Sequence, residues 1–402
     1  MSNVYERLGV RVIINANGPA TRLSGSLLSP EVAEAMREAS QSCVDIAELQ
    51  ARAGEVIAEL TGAEAGYVTS GAAAGLLLGT AACVTGSDPG RMNRLPDTTG
   101  MKNQVIIPRS HRNFYDHAVR SAGVQLVEVG IPDRFSGAGV RDTEAWEIGD
   151  AINAQTAAVL YVAQRHAVPP LRRVTEIAHR HGVPVLVDAA GQLPPADNLR
   201  RFIAEGADLV AFSGGKAIRG PQASGILCGR RDLIESAALQ HLDLDILWEQ
   251  WNPPASLIRK EILPGAPQHG IGRPCKVGKE EIVGLITALR LFVAEDPEAR
   301  RCGWVQLLEG IRGTAGELPH ARFELTDDPR REVPALALIV DEAALGRTAL
   351  DLLCALQNGA PSVQAGPGRV REGVLTFGPM CLRPGDPEQV GWRLREIFHR
   401  EE

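Results

Sequence analysis

One lysine in this chain follows an apolar run and a glycine turn, a setting suited to covalent chemistry. The run Leu209–Phe212 leads into Ser213-Gly-Gly-Lys216. An amine at the end of a buried strand is partly removed from water and can attack a carbonyl near neutral pH. The two glycines let the backbone and a ligand approach closely. The pattern indicates a Schiff-base lysine, although a surface lysine in an ordinary turn has the same sequence.

A carboxylate ends another apolar run, upstream of this lysine. The run Val183–Val187 is followed directly by Asp188. A side chain at the carboxyl end of a parallel strand lies in the crevice where open α/β sheets bind ligands. Pyridoxal phosphate needs an acid opposite its ring nitrogen, because a protonated ring withdraws electrons from the bound substrate. Asp188 is therefore the expected partner of that nitrogen.

A third segment has the character of a phosphate site. Tyr67-Val-Thr-Ser70 is predicted to be a short strand, and the small residues after it open an apolar helix. Bare backbone N–H groups at a helix N-terminus bind phosphate without a basic side chain. The expected phosphate ligands are Ser70, Gly71, Ala72 and Ala73, with Ser213 as a further candidate. Small residues that only permit close helix packing would give the same pattern.

In this order along the chain, the three segments resemble those of fold-type I pyridoxal-phosphate enzymes. Within that class the chain is similar to the branch that contains selenocysteine synthase (seryl-tRNA selenium transferase) and D-glucosaminate-6-phosphate ammonia-lyase, and more to its ammonia-lyase-like group. The resemblance extends from the N-terminus to about residue 295, with a weaker match around Arg383. Besides the lysine segment, it rests on Val12-Ile-Asn-Ala, Leu95-Pro-Asp-Thr-Thr-Gly-Met-Lys-Asn-Gln-Val, Arg109-Ser-His-Arg-Asn-Phe-Tyr-Asp and Gly270-Ile-Gly-Arg-Pro-Cys-Lys-Val-Gly-Lys.

The resemblance implies a role for each of these residues. Lys216 would hold the cofactor, release it to the substrate amine and then remove the α-proton. Asp188 would keep the ring nitrogen protonated. His111 follows a predicted strand and could stack on the pyridine ring or act as an acid. A histidine that only caps the next helix, predicted over Asn113–Ser121, is an equally good interpretation.

Four arginines are candidates for substrate binding, because guanidinium groups pair well with carboxylate or phosphate. They are Arg22 in the N-terminal arm, Arg165 after a predicted strand, Arg273 in the Gly-Ile-Gly-Arg-Pro segment and Arg383 in the C-terminal part. An ion-paired structural arginine is the ordinary case. We therefore expect one or two of the four to contact the substrate.

Composition limits the possible partners. The chain has 402 residues, a net charge of −7 and an isoelectric point near 5.8. This acidity argues against a large nucleic-acid interface, and hence against a tRNA substrate. The seven cysteines have no CxxC spacing, so neither a metal site nor a disulfide framework is expected. Because no signal segment or membrane-spanning stretch is recognisable, the sequence predicts a cytoplasmic protein.

Alternating strand and helix patterns predict an α/β protein with a mostly parallel sheet. The resemblance makes this a seven-stranded-type sheet domain with a smaller C-terminal α+β domain. The expected parts are an extended N-terminal arm (1–29), a large cofactor-binding domain (30–295) and a small C-terminal domain (296–402). The stretch Gly86–Asn103 is predicted to be a long functional or interface loop.

The resemblance favours a lyase. Such an enzyme would eliminate the β-hydroxyl of a 2-amino-3-hydroxy acid, an amino acid or amino sugar acid, and release a 2-keto acid and ammonia. A racemase or epimerase would use the same Lys216 and is the alternative; a selenium-transferase-like enzyme acting on aminoacyl-tRNA is less favoured. Because fold-type I enzymes usually build each site from two chains, a homodimer or larger homo-oligomer is expected by analogy.

Overall fold

The structure, a computed structural model, describes residues 3–131, 142–327 and 333–399. The chain divides into two units. The large unit spans Leu28–Val293, and the terminal unit combines Met1–Leu27 with Ala294–Glu402. The residues expected to form a separate N-terminal arm thus group with the C-terminal part of the chain.

Strands and helices alternate along most of the chain. The strands are β1 (Ile13–Asn15), β2 (Ala65–Thr69), β3 (Gln104–Pro108), β4 (Gln125–Val129), β5 (Thr156–Val162), β6 (Val185–Asp188), β7 (Leu209–Ser213), β8 (Gly225–Gly229), β9 (Ala321–Thr326), β10 (Ala335–Val340), β11 (Ser362–Gln364) and β12 (Val374–Phe377). The helices are α1 (Val4–Arg7), α2 (Pro30–Ala39), α3 (Ile46–Thr61), α4 (Ala72–Thr85), α5 (Pro89–Arg94), α6 (Asp116–Arg120), α7 (Ala145–Ala151), α8 (Leu171–Arg180), α9 (Asn198–Ala204), α10 (Arg231–Leu239), α11 (Lys279–Ala294), α12 (Pro297–Ala315), α13 (Glu342–Leu345), α14 (Ala349–Asn358) and α15 (Asp386–His399).

The large unit contains a seven-stranded sheet in the order β2-β8-β7-β6-β5-β3-β4. Strand β8 runs antiparallel to β2 and β7, and the other neighbouring pairs are parallel. The predicted mostly parallel sheet is therefore confirmed. We call the side where Pro108, Val162, Asp188 and Ser213 end their strands the C-terminal edge. Strands β5 and β6 are buried throughout, as expected of central parallel strands.

Helix α4 lies directly on this sheet because two glycines allow a close approach. A Cβ on Gly75 would be 3.4 Å from the Cβ of Ala211, and a Cβ on Gly79 would be 3.2 Å from Leu186 and Leu209 methyl carbons. Strand β2 is antiparallel to β8, which is antiparallel to β7, so β2 and β7 point the same way. The helix that follows β2 therefore begins at the C-terminal edge.

The terminal unit contains two small sheets. Strands β9, β10 and β12 form an antiparallel sheet in the order β12-β10-β9, and β1 pairs with β11 in parallel. Leu336, Leu338, Leu375 and Phe377 are fully buried and belong to one apolar cluster with residues of α12, α14 and α15. This architecture agrees with the small α+β domain expected for the C-terminal part.

Three local predictions need correction. The N-terminal arm is not uniformly extended, since it contains α1, β1 and a 3-10 helix at Thr21–Leu23. Gly86–Asn103 is not only loop, because Asp88 caps α5 by accepting N–H groups of its first turn. The helix expected from residue 113 begins at Asp116, because Asn113 Oδ1 accepts the N–H of Tyr115 at 2.8 Å and forms a local turn.

The contact of α3 with β2 can be tested at a glycine. A Cβ on Gly54 of α3 would overlap the carbonyl oxygen of Gly66, whereas a Cβ on Gly313 of α12 meets no described heavy atom within 4 Å. We expect Gly54→Ala to lower the free energy of unfolding by about 1–3 kcal/mol. The control Gly313→Ala should raise it by up to about 1 kcal/mol through helix propensity. Urea unfolding of both variants measures these changes, and stabilisation by both would contradict the close packing.

Candidate active site

Asp188 and Lys216 come together at the C-terminal edge. Asp188 ends β6, where it pairs in register with Val162 of β5 and Ala211 of β7. Lys216 follows Ser213, the last residue of β7, after two glycines. The charge of Lys216 acts on the Asp188 carboxylate. The two residues singled out from separate sequence segments therefore lie within electrostatic reach of each other.

The carboxyl group of Asp188 is buried, with 7% of the residue exposed. Burial raises the pKa of Asp188 above its ordinary value, and the N–H of Ala190, 3.0 Å from Oδ1, and the charge of Lys216 offset part of this effect. A buried carboxylate is unfavourable unless a cation or several donors face it. A protonated ring nitrogen at this position would supply such a partner.

The turn that carries Lys216 depends on its two glycines. A Cβ on Gly214 would overlap Ser224 Oγ, and a Cβ on Gly215 would be 2.6 Å from Gln222 Cα. The N–H of Gly214 also donates to the carbonyl oxygen of Ser224 at 2.9 Å. The glycines are thus required for close backbone packing, which fixes the point from which Lys216 extends.

Helix α4 begins at the same edge with the features of an anion site. Gly71 is its N-cap with φ of +126°, a backbone conformation that favours glycine, and no side chain of the described residues caps the first turn. The first N–H groups of a helix have no acceptor within the helix, so they can bind an anion. Ser70 and Gly71 are half-buried, Ala72 is buried and Ala73 is exposed.

Gly225 joins this helix start to the lysine strand. It pairs in register with Thr69 of β2 and with Ser213 of β7. A Cβ on Gly225 would overlap the carbonyl carbon of Gly71 and would be 2.7 Å from the nitrogen of Ala72. The start of α4 and the end of β7 are therefore separated only by the width of β8, and the three predicted segments meet at one place.

His111 is buried at the C-terminal edge, with 1% of the residue exposed. It lies in a 3-10 helix at Arg109–His111, after β3, and the N–H of Val162 donates to its Nδ1 at 3.3 Å. The proton of the neutral ring is therefore on Nε2, which meets no hydrogen-bond partner among the described residues. The ring packs edge-on against Tyr161, with centroids 4.8 Å apart.

The surroundings of His111 keep its ring neutral. Burial lowers the pKa of His111 to about 4, although Asp142 and the backbone of Val168 act in the opposite direction. A neutral ring can lie against a ligand or donate from Nε2, but it is a poor proton donor at pH 7. The interpretation as a helix cap is wrong, because α6 starts at Asp116 and its N-cap is Tyr115.

Two of the four candidate arginines have acidic partners. Arg273 forms an ion pair with Asp243. In the terminal unit, Arg383 pairs with Asp386, and its backbone N–H donates to the same carboxylate at 2.9 Å. Both guanidinium groups are thus at least partly neutralised by the protein.

The other two candidates, Arg22 and Arg165, lie in different units. Arg22, in the terminal unit, has its Nη1 3.5 Å from the amide oxygen of Gln364, an uncharged partner. Arg165 is exposed in the turn that follows β5, three residues after Val162, and it belongs to the large unit. Its position places it near the C-terminal edge.

Two neighbours of the site were missed by the sequence analysis. Tyr161 packs on His111, and Gly191 follows Asp188 so closely that a Cβ on it would be 3.9 Å from Lys216 Nζ. The Asp188-Ala-Ala-Gly191 turn directly after an apolar run was a usable signal for Gly191. No sequence signal identifies Tyr161, because Tyr67 and Phe212 also lie in apolar strands, and in the described part of the chain neither ring packs on His111.

A group of possible metal ligands lies elsewhere in the large unit. One ligand atom each of Asp243, Asp245 and His269 lies within 4.8 Å of the others, and all three residues are exposed. Asp243 is already paired with Arg273. This surface cluster therefore supports no metal assignment.

The sheet and its C-terminal edge define the class of protein. Its fold is that of fold-type I pyridoxal-phosphate enzymes, and the chain belongs to the L-seryl-tRNA selenium transferase (SelA) family, whose model matches residues 12–245. An L-seryl-tRNA(Sec) selenium transferase of Rhizobium meliloti is 32% identical over 57% of this chain and 51% of its own length. The predicted family and fold class are therefore confirmed.

Two relatives match nearly the whole chain. The D-glucosaminate-6-phosphate ammonia lyase of Salmonella typhimurium is 32% identical over 98% of both chains. A solved structure of D-glucosaminate-6-phosphate ammonia-lyase superposes with a TM-score of 0.80 and 30% identity, covering 99% of this chain and 98% of that one. A 5'-C-glycyluridine monooxygenase-decarboxylase of Streptomyces sp is 34% identical over 98% of this chain and 92% of its own. These similarities agree with the expectation of an enzyme that uses pyridoxal phosphate.

Within residues 3–131, 142–327 and 333–399, no helix has the length and apolar character needed to cross a bilayer.

The burial of Asp188 predicts how the cofactor-free protein responds to pH. Because folding raises the pKa of Asp188, the folded state holds a proton that the unfolded chain releases, and this group's contribution to stability falls as pH rises above about 4. We expect Asp188→Asn to raise the free energy of unfolding by about 1 kcal/mol near pH 8 and to have little effect near pH 4. Urea unfolding across this pH range measures the difference.

Asp116→Asn is the matched control with the opposite sign. Burial alone would raise the pKa of Asp116, but hydrogen bonds from Arg112 and Arg120 lower it overall. Its carboxylate therefore contributes stability at neutral pH that is lost as pH falls. Asp116→Asn should lower the free energy of unfolding near neutral pH and should have a smaller effect at acidic pH. The same trend in both variants would contradict the assignment of Asp188 as a strained carboxylate.

Proposed function

We propose that this protein is a pyridoxal-phosphate-dependent ammonia-lyase that acts on a 2-amino-3-hydroxy acid of the amino sugar acid class. The observation that carries the proposal is the meeting of Lys216, Asp188 and the start of α4 at one edge of the sheet. Similarity to the Salmonella ammonia lyase along the whole chain supports the reaction type. The substrate loses its α-proton and β-hydroxyl as water, and hydrolysis of the resulting enamine uses one water and gives a 2-keto acid and ammonia.

The residues at the edge fit the parts of the cofactor. Asp188 would pair with the ring nitrogen, and Lys216 would hold the cofactor covalently through its amine. The phosphate would be bound by backbone N–H groups at Gly71, Ala72 and Ala73 and by the hydroxyls of Ser70 and Ser213. When bound, the cofactor stabilises negative charge at the α-carbon of the substrate.

Lys216 is the group that moves protons. Once the substrate is bound, the neutral Nζ of Lys216 would take the α-proton of the substrate. The ammonium so formed can give this proton to the departing β-hydroxyl, so that one side chain acts first as base and then as acid. The space beside Nζ, next to Gly191, leaves room for the substrate carbon.

His111 positions the ring instead of supplying a proton. Its Nδ1 is taken by the N–H of Val162, and burial lowers its pKa to about 4, so the imidazolium that an acid role requires is scarce at neutral pH. The neutral ring and its Nε2 proton remain suited to contact with a bound pyridine ring. We therefore retain His111 as a cofactor residue and leave the acid role to Lys216.

For the substrate carboxylate we propose Arg165, because it lies in the large unit, three residues after Val162 at the C-terminal edge. Arg273 and Arg383 are assigned to structural ion pairs, since each has an acidic partner. An arginine paired with a carboxylate of the protein must break that pair before it binds a substrate anion. Arg22 has an uncharged partner in its own unit, the amide oxygen of Gln364.

A second candidate function is an oxygen-dependent decarboxylation of an amino acid. The 34% identity to the Streptomyces monooxygenase-decarboxylase favours it. That reaction would consume O2 and release CO2, whereas elimination does neither. Racemisation and transfer to an aminoacyl-tRNA remain further alternatives, and the net charge of −7 disfavours the tRNA substrate.

The proposal includes a homodimer or larger homo-oligomer in the cytoplasm. Ile46 and Ile246 line a cavity of about 500 Å³ in the large unit, and both are exposed together with the neighbouring Val44 and Leu247. Exposed apolar side chains beside a cavity of mixed polarity are suited to contact with a second copy of the chain. All seven cysteines are free thiols, in keeping with a reducing compartment.

The cofactor assignment predicts covalent labelling at one lysine. Borohydride reduction of the purified protein with pyridoxal phosphate, followed by peptide mapping, should place the pyridoxyl group on Lys216. Lys216→Ala should abolish this label, and the control Lys276→Ala should retain it. Label on a different lysine would overturn the assignment.

The reaction assignment predicts ammonia without oxygen uptake. In deuterated buffer, 2-amino-3-hydroxy acids should yield ammonia and a 2-keto acid, while amino acids without a β-leaving group should only exchange the α-proton. His111→Ala should slow ammonia release and α-proton exchange by a similar factor, about tenfold or more, because a positioning residue serves both.

Three outcomes would contradict this account. Deuterated enantiomer that accumulates without ammonia would indicate the racemase, and uptake of O2 with release of CO2 would indicate the decarboxylase. A larger effect of His111→Ala on ammonia release than on exchange would return the acid role to His111.

A further inference from the structure

Gly191 lies beside the open space next to the Lys216 amine. A Cβ placed on this residue would be 3.9 Å from Lys216 Nζ, an ordinary contact distance. Apart from its chain neighbours, no other described heavy atom lies within 4 Å of that Cβ, and Gly191 is exposed. A larger side chain would therefore extend into space beside the amine that the backbone leaves empty.

Hydrogen bonds on both sides of Gly191 fix the direction in which such a side chain would point. The N–H of Ala190 donates to Asp188 Oδ1 at 3.0 Å. The N–H of Gln192 donates to the carbonyl oxygen of Ala189 at 3.1 Å, and Asn198 Nδ2 donates to the carbonyl oxygen of Gln192 at 2.6 Å. The turn cannot easily rotate a new side chain away from Lys216.

The backbone itself does not require glycine at this position. Gly191 is not among the residues with positive φ, so an L side chain is allowed there. By contrast, a Cβ on Gly214 or Gly215 would collide with the chain around Ser224 and Gln222. Gly214 and Gly215 are therefore required for close backbone packing, whereas Gly191 leaves space beside the Lys216 amine.

We propose that Gly191 determines the size of the substrate that reaches Lys216. Its missing side chain admits an amino acid whose α-carbon carries a long substituent, such as the polyhydroxy chain of an amino sugar acid. A methyl group at position 191 would contact the Lys216 amine. It would occupy space that the substituent of the substrate needs, so the conflict would increase with the length of that substituent. This inference rests on the proposed function, because it needs an amino acid bound at Lys216.

The test compares short and long ligands in Gly191→Ala and Gly191→Val. Alanine and norleucine have no β-leaving group, so their dissociation constants can be measured by spectral titration without turnover. Gly191→Ala should weaken the binding of norleucine by about tenfold or more, the effect of one methyl group placed in the path of the substituent, and should change the binding of alanine by less than about twofold. Gly191→Val should increase the difference between its effects on norleucine binding and on alanine binding. The ratio of kcat/KM for serine and D-glucosaminate 6-phosphate should shift in the same direction.

Gly313→Ala, on an open helix surface, is the control and should leave both ligands unchanged. If the binding of alanine and norleucine is weakened equally, or if neither changes, the proposal for Gly191 is overturned. Borohydride labelling separates this failure from that of the proposed function. Label on Lys216 in Gly191→Ala with an unchanged ligand ratio rejects only the role of Gly191, whereas absence of label in the parent protein rejects both.

Discussion

A buried carboxylate at the end of a central strand is the constraint on which the site depends. Asp188 lies between β5 and β7 at the C-terminal edge, where burial raises its pKa and one backbone N–H and the charge of Lys216 offset only part of the penalty. A buried carboxylate of this kind reduces the stability of the protein when no ligand is bound. A cationic group bound opposite Asp188, such as the ring nitrogen of the proposed cofactor, would compensate for this cost.

Strand register brings the rest of the site to this carboxylate. Val162, Asp188 and Ala211 form one row across β5, β6 and β7, and a shift of one residue would turn Asp188 to the other face of the sheet. The single antiparallel strand β8 is equally important, because its Gly225 is the spacer between Ser213 and the start of α4. Backbone pairing thus positions the proposed phosphate site, Asp188 and the turn that carries Lys216.

Much of this arrangement could be predicted from sequence, for a physical reason. The strands of the large unit are short apolar runs, and polar residues directly after them must lie at an edge, which identified Asp188 and Lys216. Strand β1 was missed because its partner β11 is distant in sequence and its own pattern is short. The protonation state of His111 could not be predicted from sequence either, because its tautomer and pKa depend on Val162 and on burial by other elements.

Pairing also explains why the arginines were hard to rank. Asp386 follows Arg383 by three residues, a signal that sequence alone contained, whereas Asp243 is far from Arg273 along the chain. A guanidinium group is available to a substrate only if the folded protein has not already paired it. Composition and spacing identify the type of residue, but the pairing is a property of the folded unit.

The neutral state of His111 bears on the choice between elimination and racemisation. A racemase that removes a proton with Lys216 needs a second group, on the opposite face, that can return one. A ring with a pKa of about 4 and its Nδ1 occupied by a backbone N–H is poorly suited to that task at neutral pH. Elimination has no such requirement, because the proton that Lys216 takes from the α-carbon can leave with the β-hydroxyl as water. The site as it folds is therefore better matched to a one-base reaction, and this is the physical ground on which we place elimination before racemisation.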